Sequence, residues 1–432
     1  MKRMSLSFVI FLLLSIFNSV PALAGQRLIV RTTNLPLLQQ TCLLNSCQIV
    51  RNLDGTVNQL FLVTIPDGVL GNLVTAILQG LPGVLHVEQD LVRTISSGLA
   101  QIAGVPSGLN ARDSINYYGA PVWSGYANQP AAQIIRLDAA REQFLVTGTN
   151  VVADIDTGVD PNHPALAPVL LPGYDFTRNI SGGSEMTDLQ QPLNNTCNGC
   201  PAATVNQSTA AVLDQSTAAV LDSPYYSGFG HGTMVAGVIH LVAPTAHLMP
   251  LKAFHSDGTG YTSDILRAIY YAVQNQVNVI NMSFDITSDS SELDAAISYA
   301  NSHGVTCVAS AGNDGLPEVV YPASLTQVMG VASTSDLDTR SSFSNYGTQV
   351  VWVAAPGEEI VTTYPFATYA AGSGTSFSSP FVAGTASLIL NLAPAYAPPA
   401  VATAVAQARP LGSDLGNGRL DIFQALNYAA TH

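Results

Sequence analysis

Val151-Val-Ala-Asp-Ile-Asp-Thr-Gly158 is a run of apolar and β-branched residues that ends in an Asp, a Thr and a Gly. A strand this nearly continuous in apolar and β-branched residues is expected to be buried on both faces, as parallel strands covered by helices are. Working outward from 151–155, comparable runs recur at 247–252, 277–282, 305–309 and 350–354. Between them, 263–274 and 293–302 carry helical spacing, and 375–392 reads as a further helix that stops before Pro394. Strand and helix in alternation predict an α/β domain, a doubly wound and mainly parallel sheet flanked by helices. Its site is expected at the C-terminal ends of the strands.

Upstream the pattern differs. Residues 25–95 read as a small α+β unit, with strands at 27–31 and 57–65, a helix at 70–78 and a last strand at 84–90. Residues 96–130, rich in Gly, Ser, Ala and Asn, read as a linker and maturation region, so the α/β part begins at 131 and runs to 432. Residues 1–24 have the order of an export signal: Lys2 and Arg3, an apolar core over 7–17, and small residues at Ala22 and Ala24. The apolar run is shorter than the ~20 residues that span a bilayer, so no membrane attachment is expected after cleavage.

Composition narrows the function. With 47% hydrophobic and only 10% charged residues, 35 Gly and 25 Pro, the chain is turn-rich and folded rather than disordered. A net charge of -14 repels nucleic acid and anionic membrane alike, and suits a protein that works as a monomer. Of the five cysteines, Cys42 with Cys47 and Cys197 with Cys200 are spaced for local disulfides. Cys307 lies in an apolar run and reads as buried and inert. Residues 179–227 are polar, irregular and carry a tandem octapeptide repeat, 207–214 and 215–222, and read as a surface insertion.

Three motifs carry chemistry. Asp156 closes the opening strand, where a partly desolvated carboxylate can orient an imidazole. His231 lies in Gly230-His-Gly-Thr-Met-Val-Ala-Gly237, whose small residues allow close helix packing, and an imidazole titrates where a general base must. Ser376 lies in Gly372-Ser-Gly-Thr-Ser-Phe-Ser-Ser-Pro-Phe-Val-Ala-Gly384, a glycine-rich turn opening a helix. Alone, such a serine is an ordinary helix cap. At a helix start, however, it sits beside backbone N–H groups able to stabilise an oxyanion.

The order Asp, His, Ser, with these contexts over residues 131–426, resembles the subtilisin-like serine proteases. The likeness continues through Gly258-Thr-Gly260, Val279-Ile-Asn-Met-Ser283 and Ser310-Ala-Gly-Asn313. It implies a Ser376 nucleophile, a His231 base oriented by Asp156, and an Asn313 side chain that donates to the oxyanion. It further implies an extended polypeptide substrate pairing with Gly258, Gly260, Ser283, Phe284, Asp285 and Gly312. The 25–95 unit becomes a prosegment that inhibits its own enzyme. No cofactor is required for this chemistry, while structural calcium is a family expectation, with Asp160, Asp175, Asp214 and Asp222 as scattered oxygen donors. Ser378, Phe381 and Asp285 depart from the family pattern, and Asp285 stands where the family usually has Gly. A catalytically inactive binding protein on the same fold is the alternative. An esterase is disfavoured because the motif order is wrong and no Gly follows Ser376 by two positions.

Overall fold

The computed structural model describes residues 25–95, 106–190 and 226–432, and divides into two units at Asp90 and Leu91. The export signal, Cys197, Cys200 and the duplicated octapeptide lie outside the described residues.

The first unit is an antiparallel sheet of β1 (Gln26–Thr32), β2 (Gln48–Asn52), β3 (Leu60–Ile65) and β4 (Val84–Gln89) in the order β2-β3-β1-β4. Helices Leu35–Leu44 and Gly71–Gln79 accompany it. Leu28 and Val30 of β1 meet Leu38, Phe61, Val63 and Leu78 in its core. Asn34 starts the first helix by accepting from Leu37 N. That helix and β2 escape the sequence pattern because Leu35–Leu44 is apolar on most of its surface and β2 is short and half-exposed. Cys42 and Cys47 form the expected local disulfide.

The second unit begins with β5 (Val92–Thr94) and a hairpin, β6 (Ser114–Tyr117) and β7 (Ala120–Trp123). Then come β8 (Val151–Asp156), β9 (Tyr174–Asp175), β10 (Ile180–Ser181), β11 (His247–Lys252), β12 (Thr259–Tyr261), β13 (Val279–Met282), β14 (Thr306–Ser310), β15 (Val328–Thr334) and β16 (Val353–Pro356). Eight of these form one sheet in the order β10-β9-β11-β8-β13-β14-β15-β16, parallel except where β10 meets β9. A second hairpin, β17 (Ile360–Tyr364) and β18 (Thr368–Gly372), leads into the helix Thr375–Leu392. The α/β architecture is thus the one the alternation predicts. The order of β8 between β11 and β13 reverses the winding there, and loops at such a switch open a crevice beyond the strand ends.

Two helices bury the centre of this unit, His231–Val242 and Thr375–Leu392, both of them almost wholly buried. They approach so closely that a Cβ on Gly384 would stand 2.6 Å from Val242 Cβ, which is why glycine is found there.

Two expectations are corrected. Residues 106–130 are no linker: Leu109, Tyr117, Val122 and Tyr126 are buried in the main core, because their aromatic and apolar side chains outweigh the small polar residues around them. Within 179–227, residues 180–190 are no surface insertion, since β10 joins the sheet edge and the 3-10 helix Glu185–Gln190 buries Glu185 and Asp188. The last five residues of 25–95, Leu91–Ile95, lie in the second unit, where β5 pairs with β12. The sequence pattern also passed over β15, whose Gly330, Ser333 and Thr334 dilute an otherwise buried strand.

Candidate active site

Asp156 ends β8 with 1% of its surface exposed. The carboxylate accepts from Thr157 N at 2.6 Å, and His231 Nδ1 lies 2.8 Å and 2.9 Å from its two oxygens. His231 is the first residue of its helix, delivered by Gly230 at φ 88°. The helix start can lie this close to the Asp156 turn because a Cβ on Gly232 would stand 2.2 Å from Gly158 O. The imidazole ring in turn lies 5.9 Å from the ring of Phe377, the neighbour of Ser376.

Ser376 is 4% exposed in the first turn of its helix, after Gly374. Its hydroxyl donates to Ser283 O at 3.2 Å. Asn313 Oδ1 accepts from Thr375 N at 2.8 Å and from Thr375 Oγ1 at 2.9 Å, which fixes the amide against the serine turn. Pro380, four residues after Ser376, has no N–H to give the Ser376 carbonyl. Ser283 Oγ supplies that bond instead, at 3.0 Å, and also meets Ser379 Oγ. The Ser283 side chain is therefore spent on repairing this helix turn, which leaves its backbone for the predicted pairing with substrate.

Of the other residues predicted to line a cleft, Gly258 precedes β12 and Gly260 lies within it, and the edge of that strand already carries an extended strand. Thr259 pairs with Thr94, Gly260 with Arg93 and Tyr261 with Val92, and Ile95 N donates to Gly258 O at 2.8 Å. Phe284 turns its ring into the core against Phe254, 5.1 Å away, so only its backbone can face a ligand. Asp285 Oδ2 lies against Gly312, 2.7 Å from where a Cβ on that residue would stand. This carboxylate thus lies between the segments that follow β13 and β14.

The sequence reading missed the groups that hold the site. Glu185 is fully buried beneath the start of the histidine helix, and Lys252 at the end of β11 is fully buried beside Asp156 in register. Lys252 Nζ donates to Thr157 O at 2.8 Å, Asp188 Oδ2 at 2.9 Å and Phe254 O at 2.6 Å. Arg178 bridges Asp188 and Asp175. Asn281 Nδ2 joins Asp154 Oδ1, at 3.0 Å, to Ser283 Oγ, at 2.9 Å. Burial, with Asp156 nearby, pushes the Asp154 carboxyl well up. The one available signal for Glu185 and Asp188 was their spacing with Met186 and Leu189, the pattern of a half-buried turn.

Of the acids offered for calcium, Asp160 and Asp175 have their carboxylates engaged within the protein. Both Asp175 oxygens are taken by Thr177 and Arg178, and the two Asp160 oxygens accept from Asn162 N and Phe366 N. Asp214 and Asp222 lie outside the described residues. His163, read as structural, meets Thr368 O through Nε2 and Ala165 N through Nδ1. Cys307 is buried, and burial pushes its thiol up to about 12.

Comparison with known proteins places these features. Residues 148–421 match the model of the subtilase family. The chain is 36% identical to thermitase of Thermoactinomyces vulgaris over 244 residues, which is 56% of this chain and 74% of that protein. It is 34% identical to subtilisin NAT of Bacillus subtilis subsp. natto over 264 residues, 58% of each chain. With subtilisin BL of Lederbergia lenta it shares 39% over 178 residues, 39% of this chain and 66% of that one. A crystal structure of a lanthipeptide protease shares the fold, with a TM-score of 0.55 at 23% identity, covering 69% of this chain and 94% of that chain. The chain belongs to the subtilase family of serine endopeptidases.

Proposed function

We propose that the protein is a secreted endopeptidase that cleaves peptide bonds through an acyl-enzyme on Ser376. The observation that carries this reading is the contact of His231 Nδ1 with both Asp156 oxygens, 2.8 Å and 2.9 Å. With Nδ1–H given to Asp156, Nε2 is the base for Ser376 Oγ. The hydroxyl turns from Ser283 O toward Nε2, and its proton passes to the imidazole as Oγ bonds to the scissile carbonyl carbon. The carbonyl oxygen becomes an oxyanion facing the Asn313 amide and the N-terminus of the serine helix. Collapse breaks the C–N bond, the imidazolium proton leaves with the amine, and water repeats the sequence on the ester. Ser376→Ala is expected to abolish casein hydrolysis, and a fluorophosphonate is expected to label Ser376 in the wild type. Full activity in the variant would overturn the reading, and an unlabelled, inactive wild type would favour the inactive binding protein.

Residues 25–95 act in this reading as a removable inhibitory prosegment, because its tail, 91–95, lies along β12 as an added strand in the way an extended substrate would. Since 106–130 packs into the main core, removal has to cut between 95 and 106. The N-terminal sequence of the exported product tests this, and a start at Gly25 would refute it. Export itself rests on the order of charged, apolar and small residues in 1–24. Asp285, against Gly312, favours a basic residue before the scissile bond. Peptides with Arg, Lys, Phe and Leu at that position test this, and a preference for Phe or Leu would remove the idea.

A further inference from the structure

Five polar groups at and beside the start of the histidine helix converge on one acid, three of them directly and two through threonine hydroxyls. Gly230 N donates to Glu185 Oε2 at 2.7 Å. Gly232 N donates to Thr157 Oγ1 at 3.0 Å, and that hydroxyl donates in turn to Oε2 at 3.3 Å. On the other oxygen, Thr233 Oγ1 donates to Oε1 while accepting from Asp160 N. Backbone N–H groups at a helix start have no partner within the helix, and here two of them end on Glu185 directly or through a threonine. Thr157 follows Asp156, and Gly230 and Gly232 flank His231. Both halves of the Asp–His pair are therefore tied to the same fully buried carboxyl.

We propose that Glu185 is a positioning residue that fixes the His231 helix against the Asp156 turn, and so sets where the imidazole stands relative to Ser376. The proposal rests on the triad reading above. Glu185 acts through Gly230, Thr157 and Thr233, not on the reacting atoms. Lys252 grips the same turn from the opposite side, through Thr157 O, and shares its charge with Asp188. A geometric task of this kind shows in turnover, since small misplacement of a catalytic group is costly.

The clamp has a pH signature. The charged and titratable groups around Glu185 are Asp154 and Asp156 on β8, Lys252 on β11, Asp188 on its own turn and His231 on the helix above. Burial pushes the Glu185 carboxyl up to about 8, against the hydrogen bonds of Thr233 and Gly230 and the charge of Lys252, with Asp156 adding to the rise. Only the ionised form accepts from all three donors, so the clamp is complete on the alkaline side.

The test compares mature wild type with Glu185→Gln, counting active sites with a fluorophosphonate and measuring kcat and KM on one peptide from pH 6.5 to 10. Per titrated site, kcat is expected to fall about tenfold at pH 9.5 and about twofold at pH 6.5, with KM unchanged. Should Glu185→Gln not fold, Thr157→Val removes one of the three donors and is expected to lower kcat in the same pH-dependent way, with Thr157→Ser restoring it. An unchanged kcat per site at every pH, with only Tm lowered, would overturn the proposal and leave the triad intact. A wild type that neither labels at Ser376 nor turns over would instead overturn the triad reading, and the proposal with it.

Discussion

The helices His231–Val242 and Thr375–Leu392 both start on a glycine, Gly230 and Gly374, which has no side chain to cap the helix. At the first, a buried acid takes the open N–H groups; at the second, the neutral amide oxygen of Asn313 takes Thr375 N and Thr375 Oγ1. A helix start carries roughly half a positive charge. An acid there consumes that charge, and an amide leaves it available. In the proposed reaction a cation, the imidazolium, forms over the first start, and an anion forms over the second. One structural device thus serves opposite electrostatic needs, depending on whether the group that fills it can ionise.

The sharpest way to break the contrast is to make the two starts alike. Asn313→Asp keeps an oxygen for Thr375 N and Oγ1, so the turn should persist, but it removes the amide donor and adds negative charge where the oxyanion forms. We expect kcat to fall by at least about 10³-fold with KM little changed. Asn313→Ala removes the proposed donor alone and should cost about 10²–10³-fold. Steady-state kinetics on active-site-titrated enzyme measures both. If the Asp variant were no worse than Ala, the serine helix start would not be reserved for an anion.

The far end of the histidine helix provides the control. There, Arg141 donates through Nη1 to Tyr117 Oη at 2.7 Å and through Nη2 to the carbonyls of Leu241 and Val242. Tyr117 Oη donates to Leu241 O at 2.6 Å as well. A cation on the last carbonyls complements the helix dipole as an acid does at the start. Arg141→Met should therefore cost stability, on the order of 2–4 kcal/mol by urea unfolding in a Ser376→Ala background, because buried carbonyls lose their donors. In otherwise wild-type enzyme, kcat per titrated site should hold. A tenfold loss of kcat would show that the two ends of the helix are not separable.

Both ends also mark how far the sequence could be read. The motifs around Asp156, His231, Asn313 and Ser376 were legible because each is a short local string whose glycines and small residues have to stand beside the functional side chain. The strands 151–155 and 305–309 were legible for a similar reason, being apolar or β-branched but for Asp154. Glu185 and Arg141 were not, since neither belongs to a motif and each reaches its helix only across the fold, from 45 and 100 residues away. Their neighbourhoods misled as well. Polar composition made 180–190 look like loop, and small residues made 106–130, with Tyr117 and Tyr126, look like linker. Charge and hydrogen-bond partners set by tertiary contact leave no periodic trace. Phe284 and Ser283 show the converse case, where the motif is legible but what its side chains do, filling the core and repairing the Pro380 turn, is set by tertiary contact.

The smallest expected effect concerns a second ionisable group at that far end. His240, in the last turn of the histidine helix, is 1% exposed, with Tyr126 Oη 2.9 Å from its Nδ1. Burial, together with Arg141 and then His163, pushes its pKa from 6.5 down to about 3. Unfolded, the ring takes a proton below about 6.5; folded, it resists until about 3. The unfolded state thus binds more protons between those limits. The stability linked to His240 is present above pH 6.5 and is lost as pH falls toward 3. Against wild type, His240→Gln in a Ser376→Ala background should flatten the acid limb, by up to about 3 kcal/mol between pH 6.5 and 4. Parallel acid limbs for the two proteins would mean that the helix end admits a charged His240, and that Arg141 is not what keeps a second cation out.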